Sequence, residues 1–177
     1  MLKARVIEPS SSLFLNPLVV VAKANGDRRI CLDFRRLNAN TKLTGATGAL
    51  PTMNDIIEQI ADQKPIYFSS LALFSGDHQI PMDRETSDRT AFKCKSGIFE
   101  YVTLPFGLSN TVNGFCERIV GVLGKMASTC TTLASSHDEM ISHLSQVFSA
   151  FRSARLKINP KKCHFSTDRL VFLGQVF

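Results

Sequence analysis

The chain has 177 residues, about the size of one domain. Apolar side chains make up 44% of it and charged ones 20%, a globular composition that excludes wholesale disorder. No apolar run nears the ~18 residues of a membrane span, and residues 1–10, with Lys3, Arg5 and Glu8, lack the apolar stretch of a secretory leader, so neither a secreted nor a membrane protein is expected.

The net charge of +6 is unevenly spread. Residues 1–117 hold 13 basic and 12 acidic side chains, and residues 118–177 hold 8 and 3. A basic C-terminal third suits a polyanion such as nucleic acid, and equally a solvated basic face. The five cysteines (Cys31, Cys94, Cys116, Cys130, Cys163) are scattered and never closer than fourteen positions. That excludes zinc-ligand spacing and a disulfide framework, and points to reduced thiols in an intracellular protein.

In chain order, Pro17 to Ala22 is a short apolar run, and Arg29 to Phe34 alternates with Ile30, Leu32 and Phe34 on one face. Asn25-Gly26 between them predicts a hairpin with Lys23, Arg28 and Arg29 near its tip. Residues 44–51 read as a loop. Residues 52–63 predict a helix capped by Thr52, with Asp55 three positions on and Ile56, Ile57 and Ile60 as the apolar face. Ile66 to Leu73 predicts a buried strand. Thr90–Cys94 and Ile98–Val102 predict a second hairpin around Lys95-Ser96-Gly97.

A helix is expected from Ser109, with Val112, Phe115, Ile119, Val122 and Leu123 at helical spacing. Gly114, Gly121 and Gly124 weaken it, each by roughly 1 kcal/mol against alanine. The clearest helix runs from about His137 to Leu156. Ser136 and Glu139 form a capping box, and Met140, Ile141, Leu144, Val147, Phe148 and Phe151 form one stripe. The chain then turns at Asn159-Pro160 and ends in an expected strand, Arg169 to Phe177. Helices mixed with antiparallel hairpins predict an α+β domain.

Four blocks then stand out together: Arg29 to Asn38 (RICLDFRRLN), Phe68 to Pro81 (FSSLALFSGDHQIP), Thr90 to Asn110 (TAFKCKSGIFEYVTLPFGLSN), and Leu156 to Phe165 (LKINPKKCHF) followed by Phe172-Leu173-Gly174. In this order and spacing the chain closely resembles, from about Ser10 to its end, the reverse transcriptase of gypsy-like long-terminal-repeat retrotransposons. The resemblance implies a fingers-and-palm fold, here one domain over residues 1–177, with fingers at about 1–65 and part of 82–105 and palm over the rest. No thumb or ribonuclease H domain is expected within it. The implied activity is RNA-directed DNA polymerisation, using two magnesium ions that activate the primer hydroxyl and stabilise the leaving pyrophosphate.

By the same resemblance, Lys23, Arg29 and Lys162 (beside Lys161) would approach the incoming triphosphate. Phe106, Gly107 and Leu108 would lie under a DNA or RNA template–primer, the implied partner. Phe172, Leu173 and Gly174 would open a primer-gripping hairpin whose second strand is expected to be missing.

The chain departs from the family where the metals should sit. Ala72 stands between Leu71 and Leu73 at the position of the first aspartate, and a methyl cannot coordinate a hard cation. The tyrosine after Ser-Gly is replaced by Asp77. That residue is an odd five positions from Ala72, so on an extended strand it points to the opposite face. The Tyr-x-Asp-Asp hairpin should fall within Met126 to Ser136, which holds no acidic residue, so a shortened central strand pair is expected. Asp138 and Glu139 read as first-turn residues favoured by the helix dipole. After LPFGL the family's Asn-Ala-Pro-Ala-Thr-Phe becomes Asn110 to Phe115, without proline. His78, His137, His143 and His164 form no ligand pattern, and Cys163-His164 is no zinc motif. No metal and no cofactor is expected. Two readings remain open: a degenerate reverse-transcriptase domain without catalysis, and a non-enzymatic nucleic-acid-binding module using the fingers and the basic C-terminal third.

Overall fold

The structure, a computed structural model, describes residues 1–22, 26, 28–43, 53–124, 131–169, 171–172 and 175–176. The chain divides into two compact units, Met1–Gly45 with Asp77–Phe115 and Ala46–Gly76 with Cys116–Phe177. Helices and antiparallel sheets are mixed in the way the α+β expectation requires.

The first unit is built on strands β1 (Ile7–Pro9), β5 (Phe92–Cys94) and β6 (Gly97–Tyr101). They form an antiparallel sheet in the order β1-β6-β5, with Ile7 opposite Tyr101 and Phe92 opposite Phe99. Pro9 is tolerated because β1 is an edge strand. The expected hairpin is present as β2 (Leu18–Ala22) and β3 (Arg28–Leu32), with Leu18 opposite Leu32. Helix α1 (Arg35–Ala39) follows. Val6, Ile7, Leu32, Phe34, Phe92, Phe99 and Tyr101 make the core, joined by Leu18, Leu37, Cys94 and Leu108.

Thr90 is the polar hub of this unit. It is fully buried, donates to the Ser87 carbonyl at 2.6 Å and accepts from the Tyr101 amide at 2.9 Å. The Glu100 carboxylate accepts from Ser87 Oγ at 2.8 Å and also from Ser10. These bonds satisfy groups that would otherwise be buried without partners.

The second unit centres on strand β4 (Tyr67–Ser70), flanked by β7 (Thr131–Ala134) and β8 (His164–Thr167), all antiparallel. The strand expected over Ile66–Leu73 is shorter. Ile66 is exposed, β4 stops at Ser70, and Leu73 bridges Ile158. Strand β8 was not expected: His-Phe-Ser-Thr carries no apolar alternation, and it becomes a strand by pairing with β4. One strand, β7, lies between the flanking helices among the described residues.

Helices α2 (Met53–Gln63), α3 (Thr111–Leu123) and α4 (His137–Ser153) match the expected ones in place. Thr52 lies outside the described residues. On α2, Ile60 packs on Phe68 and Leu133, while Ile57 is exposed. On α3, Ile119, Val122 and Leu123 join the core formed by Val147, Phe151 and Leu156, but Val112 is exposed. On α4, Met140, Val147 and Phe151 are buried and Ile141 is exposed. The apolar stripes are therefore narrower than the sequence periodicity suggests, because short strands cover only part of each helix.

Ser136 caps α4 by accepting from the Glu139 amide at 3.2 Å, and the Glu139 carboxylate accepts in return from the Ser135 amide at 2.7 Å. Asp138 and Glu139 stand in the first turn, as expected. Beneath β4, fully buried Ser69 donates to the Met140 sulfur at 3.1 Å and accepts from the Ser166 amide at 2.9 Å.

The single strand expected over Arg169–Phe177 is corrected. Two short strands, β9 (Val171–Phe172) and β10 (Gln175–Val176), pair antiparallel in its place. Among the described residues Cys31, Cys94, Cys116 and Cys163 form no disulfide, and no helix is long and apolar enough to cross a membrane.

Candidate nucleic-acid interface

In the first unit, the loop from Leu104 to Asn110 is fastened at almost every residue. The Leu104 amide donates to Ile80 O at 2.9 Å. Pro105 is fully buried, and its carbonyl accepts from Thr111 Oγ1 at 2.8 Å. The Gly107 carbonyl accepts from Asn38 Nδ2 at 2.8 Å, and the Ser109 amide donates to Asn38 Oδ1 at 2.9 Å. Asn110 Nδ2 donates to Lys42 O at 3.0 Å. Gly107 has φ +94°, a conformation that costs other residues strain and glycine none.

The product of this bonding is an exposed aromatic ring on a fixed backbone. Phe106 is 55% exposed. Its ring meets His78 edge-on at 4.9 Å, and His78 in turn lies 5.9 Å from the Tyr101 ring. His78 Nδ1 donates to the Leu104 carbonyl at 3.1 Å, which sets its tautomer and ring plane. An exposed aromatic held this way can stack on a nucleobase of any identity.

Of the cationic candidates, Arg29 lies on β3 opposite Val21, with its side chain outside the described residues. Lys23, Leu173 and Gly174 also lie outside them. Lys161 and Lys162 stand exposed on a short 3-10 turn, Pro160–Lys162, in the second unit. Arg29, Phe106, Gly107 and Leu108 thus belong to one unit and Lys162 to the other.

Residues 72–74 run beside residues 157–163 in the second unit. The Asn159 amide donates to Ala72 O at 2.7 Å, and the Phe74 amide donates to Lys157 O at 2.9 Å. The Ala72 amide donates to Cys163 Sγ at 3.3 Å, and that thiol donates to Asn159 O at 3.2 Å.

Residues 21–177 match the family model described as reverse transcriptase (RNA-dependent DNA polymerase). The chain belongs to the reverse transcriptase family. It is 33% identical, over 98% of its length, to the Retrovirus-related Pol polyprotein from transposon 412 of Drosophila melanogaster. It is 28% identical, again over 98%, to the Transposon Tf2-3 polyprotein of Schizosaccharomyces pombe. It spans only 15% and 13% of those two relatives. Among solved structures, a prototype foamy virus protease–reverse transcriptase is similar at TM-score 0.86 and 25% identity, covering 98% of this chain and 24% of that one. The foamy viral enzyme in complex with an RNA/DNA hybrid is similar in fold at TM-score 0.84 and 22% identity, with 99% and 24% covered. The chain is thus a reverse-transcriptase-like domain of the retrotransposon polyprotein kind.

The family's magnesium pair needs carboxylate oxygens. Among the described residues, β4, residues 71–74, β7 and β8 carry no acidic side chain to supply them. Among the described residues no three His, Cys, Asp or Glu side chains are grouped to hold a metal. Beside Ala72 stand the Cys163 thiol, a soft donor, and backbone groups already hydrogen-bonded to one another. Asp77 sits in a 3-10 turn, Gly76–Gln79, of the other unit, where burial pushes its carboxyl up from the ordinary range and His78 partly offsets this. Asn38 had no role in the sequence reading. The only signal for it was its place at the end of the RICLDFRRLN block, since neither charge nor periodicity marks a residue that works on backbone.

Proposed function

We propose that this chain is a reverse-transcriptase domain that keeps the family fold and does not carry out RNA-directed DNA polymerisation. The observation that carries the reading is Ala72, which stands where the first metal-binding aspartate is expected. The acid-free stretch 126–136 supports it. On this reading the fingers comprise about residues 1–65 and part of 82–105, and the palm comprises the rest. Reduced thiols fit an intracellular setting.

A second reading, a binding module without chemistry, is favoured by the braced, exposed Phe106 and by the excess of basic residues after 117. Two structures similar in fold are described as foamy viral enzymes in complex with double-stranded DNA and with an RNA/DNA hybrid. The partner on this reading is a DNA or RNA template–primer.

Primer extension on a primed RNA template with magnesium and deoxynucleotide triphosphates tests the first reading. The expected result is no product above a protein-free control, from the parent and from Ala72→Asp alike, since one carboxylate cannot hold two metals. Extension by either protein overturns it. Fluorescence anisotropy on the same template–primer tests the second reading. Log affinity should fall linearly with log salt, with a slope of roughly 0.9 per phosphate neutralised on duplex. Undetectable or salt-independent binding overturns it.

A further inference from the structure

We propose that Asn38 is the positioning residue that holds Phe106 ready for nucleic acid. The role rests on the nucleic-acid-binding reading above. Asn38 lies in the last turn of α1, anchored by its own amide to Phe34 O at 2.7 Å. Its side-chain amide bonds the carbonyl of residue 107 and the amide of residue 109 together, at 2.8 and 2.9 Å. This is how a neighbouring strand would pair with the loop, done by one side chain. It fixes the backbone on both sides of Leu108.

The clamp matters because of what it holds. Gly107 loses more freedom on ordering than any other residue type. With φ at +94° it has no intrinsic reason to stay in place. On its other side Phe106 is secured through Pro105 and Thr111. Phe106 therefore sits between Pro105, whose carbonyl Thr111 holds, and Gly107, whose carbonyl Asn38 holds. Both Asn38 bonds require an amide. A carboxylate at position 38 loses the donor to Gly107 and faces that carbonyl with negative charge. Asn38 itself touches no base in this scheme; it acts through the loop.

The test is a double-mutant cycle on Asn38→Ala and Phe106→Ala. It is read by anisotropy on a labelled primed RNA/DNA template, with thermal unfolding followed in parallel. Each single variant should weaken binding about tenfold, the loss of one stacked base. The double variant should be no weaker than Phe106→Ala alone. The salt slope should not change, since no phosphate contact is removed. A general loss of structure would lower the slope and the unfolding temperature instead. Gly107→Ala loosens the same loop from within and should reproduce the loss even if Asn38→Ala fails to fold. An added Cβ there meets only Phe34 at 3.8 Å, so its penalty is conformational.

Parent-like affinity in Asn38→Ala, with Phe106→Ala weakened, overturns the role of Asn38 and leaves the nucleic-acid reading standing. Fully additive losses also overturn it. Absence of binding by the parent overturns the nucleic-acid reading, and the role of Asn38 falls with it.

Discussion

The loop at 104–110 and the segment at 70–74 are both parts of blocks shared with the family, and both are tied down by side chains acting on backbone. In the loop, Asn38 pairs with the backbone at Gly107 and Ser109, and Phe106 is presented to solvent. In the segment, the Cys163 thiol accepts from the Ala72 amide while the Asn159 backbone amide donates to the Ala72 carbonyl, and the side chain so presented is a methyl. The bonds that make the fold are indifferent to the side chain they display. Packing is spread over many residues and metal binding over very few, so the bonds around a position can stand whatever side chain it carries.

If both regions rest on sound cores, a deep cut beneath either should cost several kcal/mol. Met140 lies under β4 with 1% of its surface exposed, so Met140→Ala should destabilise the chain by about 2–5 kcal/mol, read as the midpoint shift in urea. A cost below about 1 kcal/mol would show that the second unit is loosely packed and would break the comparison. Thr90→Val probes the first unit by stranding the Tyr101 amide and the Ser87 carbonyl, at a cost of about 1–3 kcal/mol. Its expected effect on the thermal midpoint is a fall of roughly 2–4 °C per kcal/mol.

The smallest effect is at the surface of the first unit. Arg35 donates to Asp33 through Nε at 2.9 Å and Nη2 at 2.5 Å, and this bonding lowers the Asp33 carboxyl from 3.8 to about 2. A depressed carboxyl stabilises the fold above its unfolded value and loses that contribution as pH falls from about 4 towards 2. Carbon-detected NMR titration should find this midpoint. Arg35→Ala should return it to the ordinary carboxylate range; an unchanged midpoint would remove Arg35 as the cause.

Local chemistry in the sequence was enough to place the elements that depend on it. The paired strands β2 and β3, and helix α4 with its Ser136 and Glu139 cap, are where the residues indicated. Elements that depend on a distant partner were not legible. His164–Thr167 has nothing in its composition to mark a strand until β4 lies beside it. The doubled-back strands at Val171–Phe172 and Gln175–Val176 were too short to separate from one run. Ile57, Val112 and Ile141 fit apolar stripes by spacing but face solvent, because periodicity gives a direction and not the width of what covers it. At the candidate site, Phe106 and Gly107 could be named from their block, while the bracing by Asn38 and His78 could not, since it runs through carbonyls and amides common to every residue.

The pairing of β1 with β6 also sets a clock for biosynthesis. Ile7 finds its ladder partner only at Tyr101, 94 residues later. At roughly 5–20 residues per second, the first strand waits about 5–20 s after it is made before its neighbour exists. Strand β4 waits similarly for β8, with Phe68 opposite Thr167. Each unit is thus closed by a strand translated long after the one it completes, and the ribosome releases unpaired edges well before the residues that cover them.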